Sequence, residues 1–241
     1  ALPLEYKAVL AYLEQRETVT VESTFYTLGT YRGTKAWKVA VACVGPGNAV
    51  TAGEAVRGFT HFRPQCAFFV GVAGGVKDVK LGDVVVSTKV YGYESGKADD
   101  EFKPRPDVEK GGHGMVSAAR HLIGSGAWEK KFESPDGDEV SSIAHIGPIA
   151  AGESVVSSTR SELYARIREK YGDAIAVEME GSGFLKAAWL QCNSNAIVIR
   201  GISDLIADKS KADEEGWQPL AATNAAVFAF TLIDLLEKKK V

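Results

Sequence analysis

No stretch of about 18 consecutive apolar residues occurs in this sequence, which excludes a membrane-spanning helix. Nor does it open on a basic segment followed by an apolar run, so no secretory leader is expected and a cytoplasmic location is. Cysteine is scarce: Cys43, Cys66 and Cys192 lie far apart, each in an apolar run, which predicts core packing rather than a disulfide or a metal ligand. Of the histidines, His61, His113, His121 and His145, no two stand at i,i+4 and there is no H-E-x-x-H, so no metal site is expected. Charge of one sign is also lacking, with 28 basic against 31 acidic residues and no basic tract, and nucleic acid is not an expected partner. Internal repeats and low-complexity tracts are absent.

The 241 residues are 45% apolar and 24% charged, as in a soluble globular protein able to bury a substantial core. Short β-rich runs alternate with helical patterns, which predicts a mostly parallel sheet with helices on its faces. Expected strands cover 36–44, 66–70, 83–91, 173–179 and 196–202; expected helices cover 5–15, 47–61, 114–124, 159–171, 180–191 and 219–238. Residues 94–113 and 133–140 are polar and rich in Pro or Gly, so they read as surface excursions from a single domain. The sequence begins on a helical pattern, and the expected sheet lacks a first strand.

Open α/β sheets bind ligands at the carboxyl ends of their strands. There the sequence places Gly45-Pro46-Gly47-Asn48, then Gly71-Val72-Ala73-Gly74-Gly75, then Glu178-Met179-Glu180, then Ser203-Asp204. Each alone has a structural reading as a tight turn, a helix-starting acid or a core methionine. Together they point to a site. It is not a dinucleotide site, because Val50 stands where G-x-G-x-x-G needs its third glycine. No G-x-S-x-G marks a nucleophile, and the Gly71 turn lacks the G-K-[ST] of a P-loop. Carboxylates with close-approach glycines suit a polyhydroxylated ligand, since a carboxylate accepts two bonds from a vicinal diol. They also suit glycosidic chemistry, in which one acid protonates the leaving group and another activates water.

Three segments, FVGVAGGVKDVKLGDVVV, AVEMEGSGF and VIRGISDL, resemble in order and spacing the nucleoside phosphorylase/nucleosidase superfamily, most closely its 5'-methylthioadenosine/S-adenosylhomocysteine nucleosidase branch. The resemblance runs from ALPLE to the last helix. It implies one domain over residues 1–241, a three-layer α/β/α fold around a mixed, partly barrel-like sheet, no cofactor, a purine nucleoside ligand and a homodimer. It also implies roles. Asp204 is the general acid at purine N7, with Ser203 and Arg200 supporting it, and Glu5 positions the attacking water. Glu180 binds the ribose 2' and 3' hydroxyls, Met179 packs on the sugar and Glu178 lies beside them. Ala73 and Gly74 form a main-chain wall, and Val155 and Val156 flank the base.

Phosphorolysis needs an anion site of Arg, Ser or clustered N–H groups. Where the resemblance leads one to expect the phosphorylases' Arg and Ser, this sequence has Phe69 and Val72, and its N-terminal loop offers Leu2-Pro3-Leu4-Glu5. A glutamate there repels phosphate and orients water, so hydrolysis is expected. A phosphate-dependent phosphorylase and a binding or sensing module of a larger regulatory protein are the alternatives. Val72 and Val155 depart from the nucleosidases' Ser and aromatic residue, and the polar segment Ala207-Asp208-Lys209-Ser210-Lys211 suits a polar 5' group such as a phosphate.

Overall fold

The computed structural model describes residues 1–100, 102–128, 130–135, 137–206 and 216–236. Helix α1 (Pro3–Leu10) has Pro at its start and Glu5 in its first turn, both favourable where backbone N–H groups lack partners. It leads into an antiparallel meander, β1 (Glu14–Val21), β2 (Thr24–Arg32) and β3 (Ala36–Val41), paired in that order. Helix α2 (Asn48–Phe62) follows Gly47, whose φ of +103° disfavours any residue with a Cβ.

The centre of the molecule is a ring. Strands β4 (Ala67–Gly75), β5 (Val84–Gly92), β11 (Ala144–Ala151), β12 (Ala176–Glu178) and β13 (Ala196–Leu205) pair in the order β11-β12-β4-β13-β5, and β5 pairs back to β11. The sheet is mixed: β13 runs parallel to β4 and antiparallel to β5, and β11 runs parallel to β5 from Ala144↔Val84 to Ala151↔Gly92. Closure leaves these strands covered on both faces, which is why β13 is buried throughout except at Leu205 and is almost uniformly apolar up to Ile199.

Helices cover the ring on two sides. Phe59 of α2 and Phe184 and Leu185 of α5 (Gly181–Leu190) pack with Phe69 on one side. On the other, Met115 and Leu122 of α3 (His113–Gly124) join Phe228 and Leu232 of α6 (Trp217–Leu235). This is the expected three-layer arrangement, with a sheet that closes. Between β5 and β11 the chain makes short strands β6 (Gly96–Lys97), β7 (Lys103–Pro104), β8 (Asp107–Lys110), β9 (Lys130–Glu133) and β10 (Glu139–Ser142). Helix α4 (Glu162–Lys170) follows β11, capped by the Ser161 hydroxyl. Among the described residues no helix is long and apolar enough to cross a membrane.

Several expectations are corrected. The excursion at 94–113 is not plain loop, because β8 pairs with β5 at residues 89–92, beyond the segment of β5 that β13 covers. The Gly71 to Gly75 segment is strand rather than turn, and β13 runs on through Ser203 and Asp204. Cys43 and Cys192 are exposed, since the first lies beyond the end of β3 and the second just beyond α5, while Cys66 is partly buried.

Candidate active site

Strand ends and helix starts enclose a cavity of about 360 Å³. Every residue expected at the site lines it except Arg200: Glu5, Ala73, Gly74, Val155, Val156, Glu178, Met179, Glu180, Ser203 and Asp204. Their positions follow from topology. Ala73 and Gly74 end β4, Glu178 ends β12 as the chain turns into α5, and Asp204 lies near the end of β13. A register shift between Ile202 and Asp204 against β4 marks a bulge at Ser203, and a bulge re-aims the side chains that follow it. The Ser203 hydroxyl donates to Asp204 Oδ2 at 3.0 Å, and both residues are buried.

Glu5 enters from the first turn of α1. Its Oε1 accepts from the Val72 N–H at 2.8 Å, and its Oε2 accepts from the Leu2 N–H at 2.5 Å and from the Ala1 nitrogen at 2.6 Å. Gly71 lets this happen: a Cβ there would collide with Glu5 Oε1 and with Arg200 Nη1.

Arg200 is fully buried behind the cavity and holds the carboxylates together. Its Nη2 donates to Glu178 Oε2 and to Glu180 Oε2, the latter at 3.2 Å, and its Nη1 lies 3.9 Å from Glu5 Oε1. The guanidinium stacks on the Phe69 ring, 4.5 Å from its centroid, and Phe69 stacks in turn on Phe184. Burial works against the arginine's charge, but Glu178, Glu180 and Glu5 outweigh it and raise its pKa.

The glutamates differ in what surrounds them. Glu178 folds back over the start of α5, accepting from the Glu180 N–H at 3.1 Å and from the Gly181 N–H at 2.9 Å, which suits an acid at a helix N-terminus. Glu180 takes one bond from the Gly47 N–H at 3.2 Å. Burial raises the Glu180 pKa, Glu178 adds to the rise, and Arg200 and the Gly47 N–H only partly oppose it. Burial also acts to raise Glu5, yet Arg200, the Ala1 ammonium and the Leu2 N–H together bring it below the ordinary value. One carboxyl is thus held ionised while its neighbour is pushed toward neutrality.

Pro46, Val72, Ser154, Val177 and Gln218 also line the cavity. The loop of Pro46 carries a sequence signal, the glycines after β3, whereas nothing in the sequence around Ser154 or Gln218 marks them. Val155 is 62% exposed at the cavity's edge, while Val156 is buried. Lys209 and Lys211 lie outside the described residues.

The family model described as Phosphorylase superfamily matches residues 1–234. A 5'-methylthioadenosine/S-adenosylhomocysteine nucleosidase of Bacillus licheniformis is 26% identical over 97% of this chain and 95% of its own length. A death domain-containing ATP nucleosidase of Amphimedon queenslandica is 30% identical over 72% of this chain; the match spans only 34% of that longer protein. Among solved structures, the 5'-methylthioadenosine/S-adenosylhomocysteine nucleosidase of Neisseria meningitidis, in complex with methylthio-immucillin-A, superposes with a TM-score of 0.78 at 23% identity, covering 98% of this chain and 96% of that one. Futalosine hydrolase of Helicobacter pylori gives 0.78 at 18% identity, covering 98% and 95%.

Proposed function

Because this chain belongs to the phosphorylase superfamily, whose nucleoside phosphorylases and nucleosidases act on N-glycosidic bonds, we propose that it is a purine nucleosidase that hydrolyses an adenine nucleoside to free base and a ribosyl product. The observation that carries the choice of water over phosphate is Glu5. Its carboxylate takes the Val72 N–H, a main-chain donor that an anion would otherwise use, and its depressed pKa keeps it charged at neutral pH. Arg200, the buried cation nearby, already faces three carboxylates and has little positive charge left to attract a phosphate.

In this reading Asp204 delivers a proton to purine N7 as the glycosidic bond breaks and its electron pair leaves with the base. Water attacks the anomeric carbon and gives its proton to Glu5. Positive charge developing on the sugar ring is stabilised by the carboxylates behind it. Glu180 accepts from the ribose hydroxyls, Met179 underlies the sugar, the Ala73 and Gly74 main chain walls the nucleoside, and Val155 and Val156 flank the base. The 5' group is methylthio or homocysteinyl by likeness to the bacterial relatives; a 5'-phosphorylated nucleoside is the second reading, favoured by likeness to the ATP nucleosidase. A homodimer goes with the reading, and Val50, Trp189 and Leu190 are exposed apolar side chains available for it.

The test is release of free base from methylthioadenosine, adenosylhomocysteine, adenosine, inosine, AMP and ATP, with and without phosphate. Base release independent of phosphate is the expected result. A sugar 1-phosphate product, or binding without turnover, would overturn the proposal, and sedimentation at a single protomer mass would remove the dimer.

A further inference from the structure

Asn48, the first residue of α2, does not line the catalytic cavity, although Pro46 two residues earlier does. Its side-chain amide is used at both ends. Nδ2 donates to the Gly152 carbonyl at 3.2 Å, where β11 gives way to the segment of Ser154, Val155 and Val156, and Oδ1 accepts from the Gly183 N–H at 3.0 Å, in the first turn of α5. A carbonyl can only accept and an N–H can only donate, so these partners fix which way the amide faces. The main chain adds two further ties: the Asn48 N–H donates to Glu153 Oε1 at 3.0 Å, and the Gly47 N–H before it donates to Glu180 Oε1 at 3.2 Å. Close approach is built in. Gly183 lies inside α5, where glycine is disfavoured, yet a Cβ there would collide with the Asn48 backbone.

We propose that Asn48 is a positioning residue that sets the spacing between the two halves of the nucleoside site, a role that rests on the purine nucleosidase reading. One half is the segment 154–156, which takes the base in that reading. The other is the start of α5, where Glu180 takes the ribose hydroxyls. Strands β11 and β12 hold these halves in register only as far as Ala151↔Glu178. Beyond that pair the Gly152 N–H still bonds the Glu178 carbonyl at 3.2 Å, and Asn48 takes the Gly152 carbonyl that follows, so it continues the tie where the strands part. A single bond at Gly152 would leave the segment free to swing about it; a second, from an amide that also grips α5, fixes its angle. None of these bonds involves β13, which carries Asp204. Losing the bracket therefore weakens the hold on base and ribose alike and leaves proton delivery in place, which is a loss of uniform binding and falls on KM.

Three proteins test this: the unaltered 241-residue chain, Asn48→Asp, which keeps an acceptor for Gly183 but sets a carboxylate against the Gly152 carbonyl, and Asn48→Ala, which keeps neither bond. With methylthioadenosine, KM should rise about tenfold in both variants while kcat stays within about twofold. Affinity for free adenine should also fall about tenfold in both. Hydrogen exchange without ligand should quicken about tenfold at Glu153 in both variants, and at Gly183 in Asn48→Ala alone. A lowered Tm with unchanged KM would leave Asn48 a purely architectural role and overturn the proposal. So would a fall in kcat at constant KM, or equal exchange in all three proteins. Failure of the unaltered chain to bind adenine or to release it from methylthioadenosine would strike the nucleosidase reading instead; the exchange pattern would then uphold the bracket, and its absence would overturn it. If Asn48→Ala does not fold, the isosteric Asn48→Asp decides through KM, adenine affinity and exchange at Glu153.

Discussion

Asp204 is the residue on which turnover should depend most. Asp204→Asn keeps the size of the side chain and an acceptor for Ser203 but has no carboxyl proton to give, so kcat should fall roughly 10²- to 10⁴-fold; near-normal turnover in a steady-state assay would remove the general acid from this position. Glu180 makes a less intuitive prediction. Its pKa is raised above 4.5, first by burial and then by Glu178, so the ionised form costs native-state stability above that pKa, and the cost fades as pH falls through it. Glu180→Gln at pH 7 should therefore raise Tm, by roughly 2–4 °C, while KM should rise about tenfold if, as proposed, the ribose diol uses both of its oxygens as acceptors. A lowered Tm with unchanged KM would contradict both halves. The carboxylates were legible in the sequence because charged residues at the ends of apolar strands are conspicuous. The partners of Arg200 were not, since an arginine in an apolar run does not announce which acids will close around it.

Among the elements, the start of α5 depends most visibly on one side chain. Glu178 accepts from two N–H groups there and neutralises part of Arg200. Glu178→Ala should cost about 3–5 kcal/mol by leaving a buried charge under-compensated, whereas Glu178→Gln, which keeps an acceptor oxygen, should cost less; urea midpoints order the two. The strands of the ring were mostly readable from their apolar runs. Among the elements that escaped, β1 and β11 did so for different reasons. Strand β1, EQRETVTV, is almost wholly exposed and its apolar alternation is confined to Val19 and Val21, and β11, AHIGPIAA, contains Gly147 and Pro148, which read as breakers. The extension of β13 through Ser203 and Asp204 was hidden because those residue types mark turns, and only pairing with β4 keeps them in the strand.

For the molecule as a whole, the resemblance was specific because three motifs recur in order, and they fall at three neighbouring parts of one cavity; the closure of the sheet had no comparable signature, since nothing in β5 or β11 alone states that they meet. That meeting has a kinetic consequence. The pair Ala144↔Val84 joins residues far apart in sequence, and until it forms, the barrel is an open ribbon with two sticky edges. Long-range pairing of this kind slows folding, so refolding should be dominated by a late step on the scale of milliseconds or slower, with ligand binding recovering in that same step rather than before it. Stopped-flow refolding followed by both tryptophan emission and capture of a fluorescent nucleoside would separate the two signals if the cavity were assembled by any smaller part. The candidate site would then be, in time as well as in space, the last thing the barrel makes.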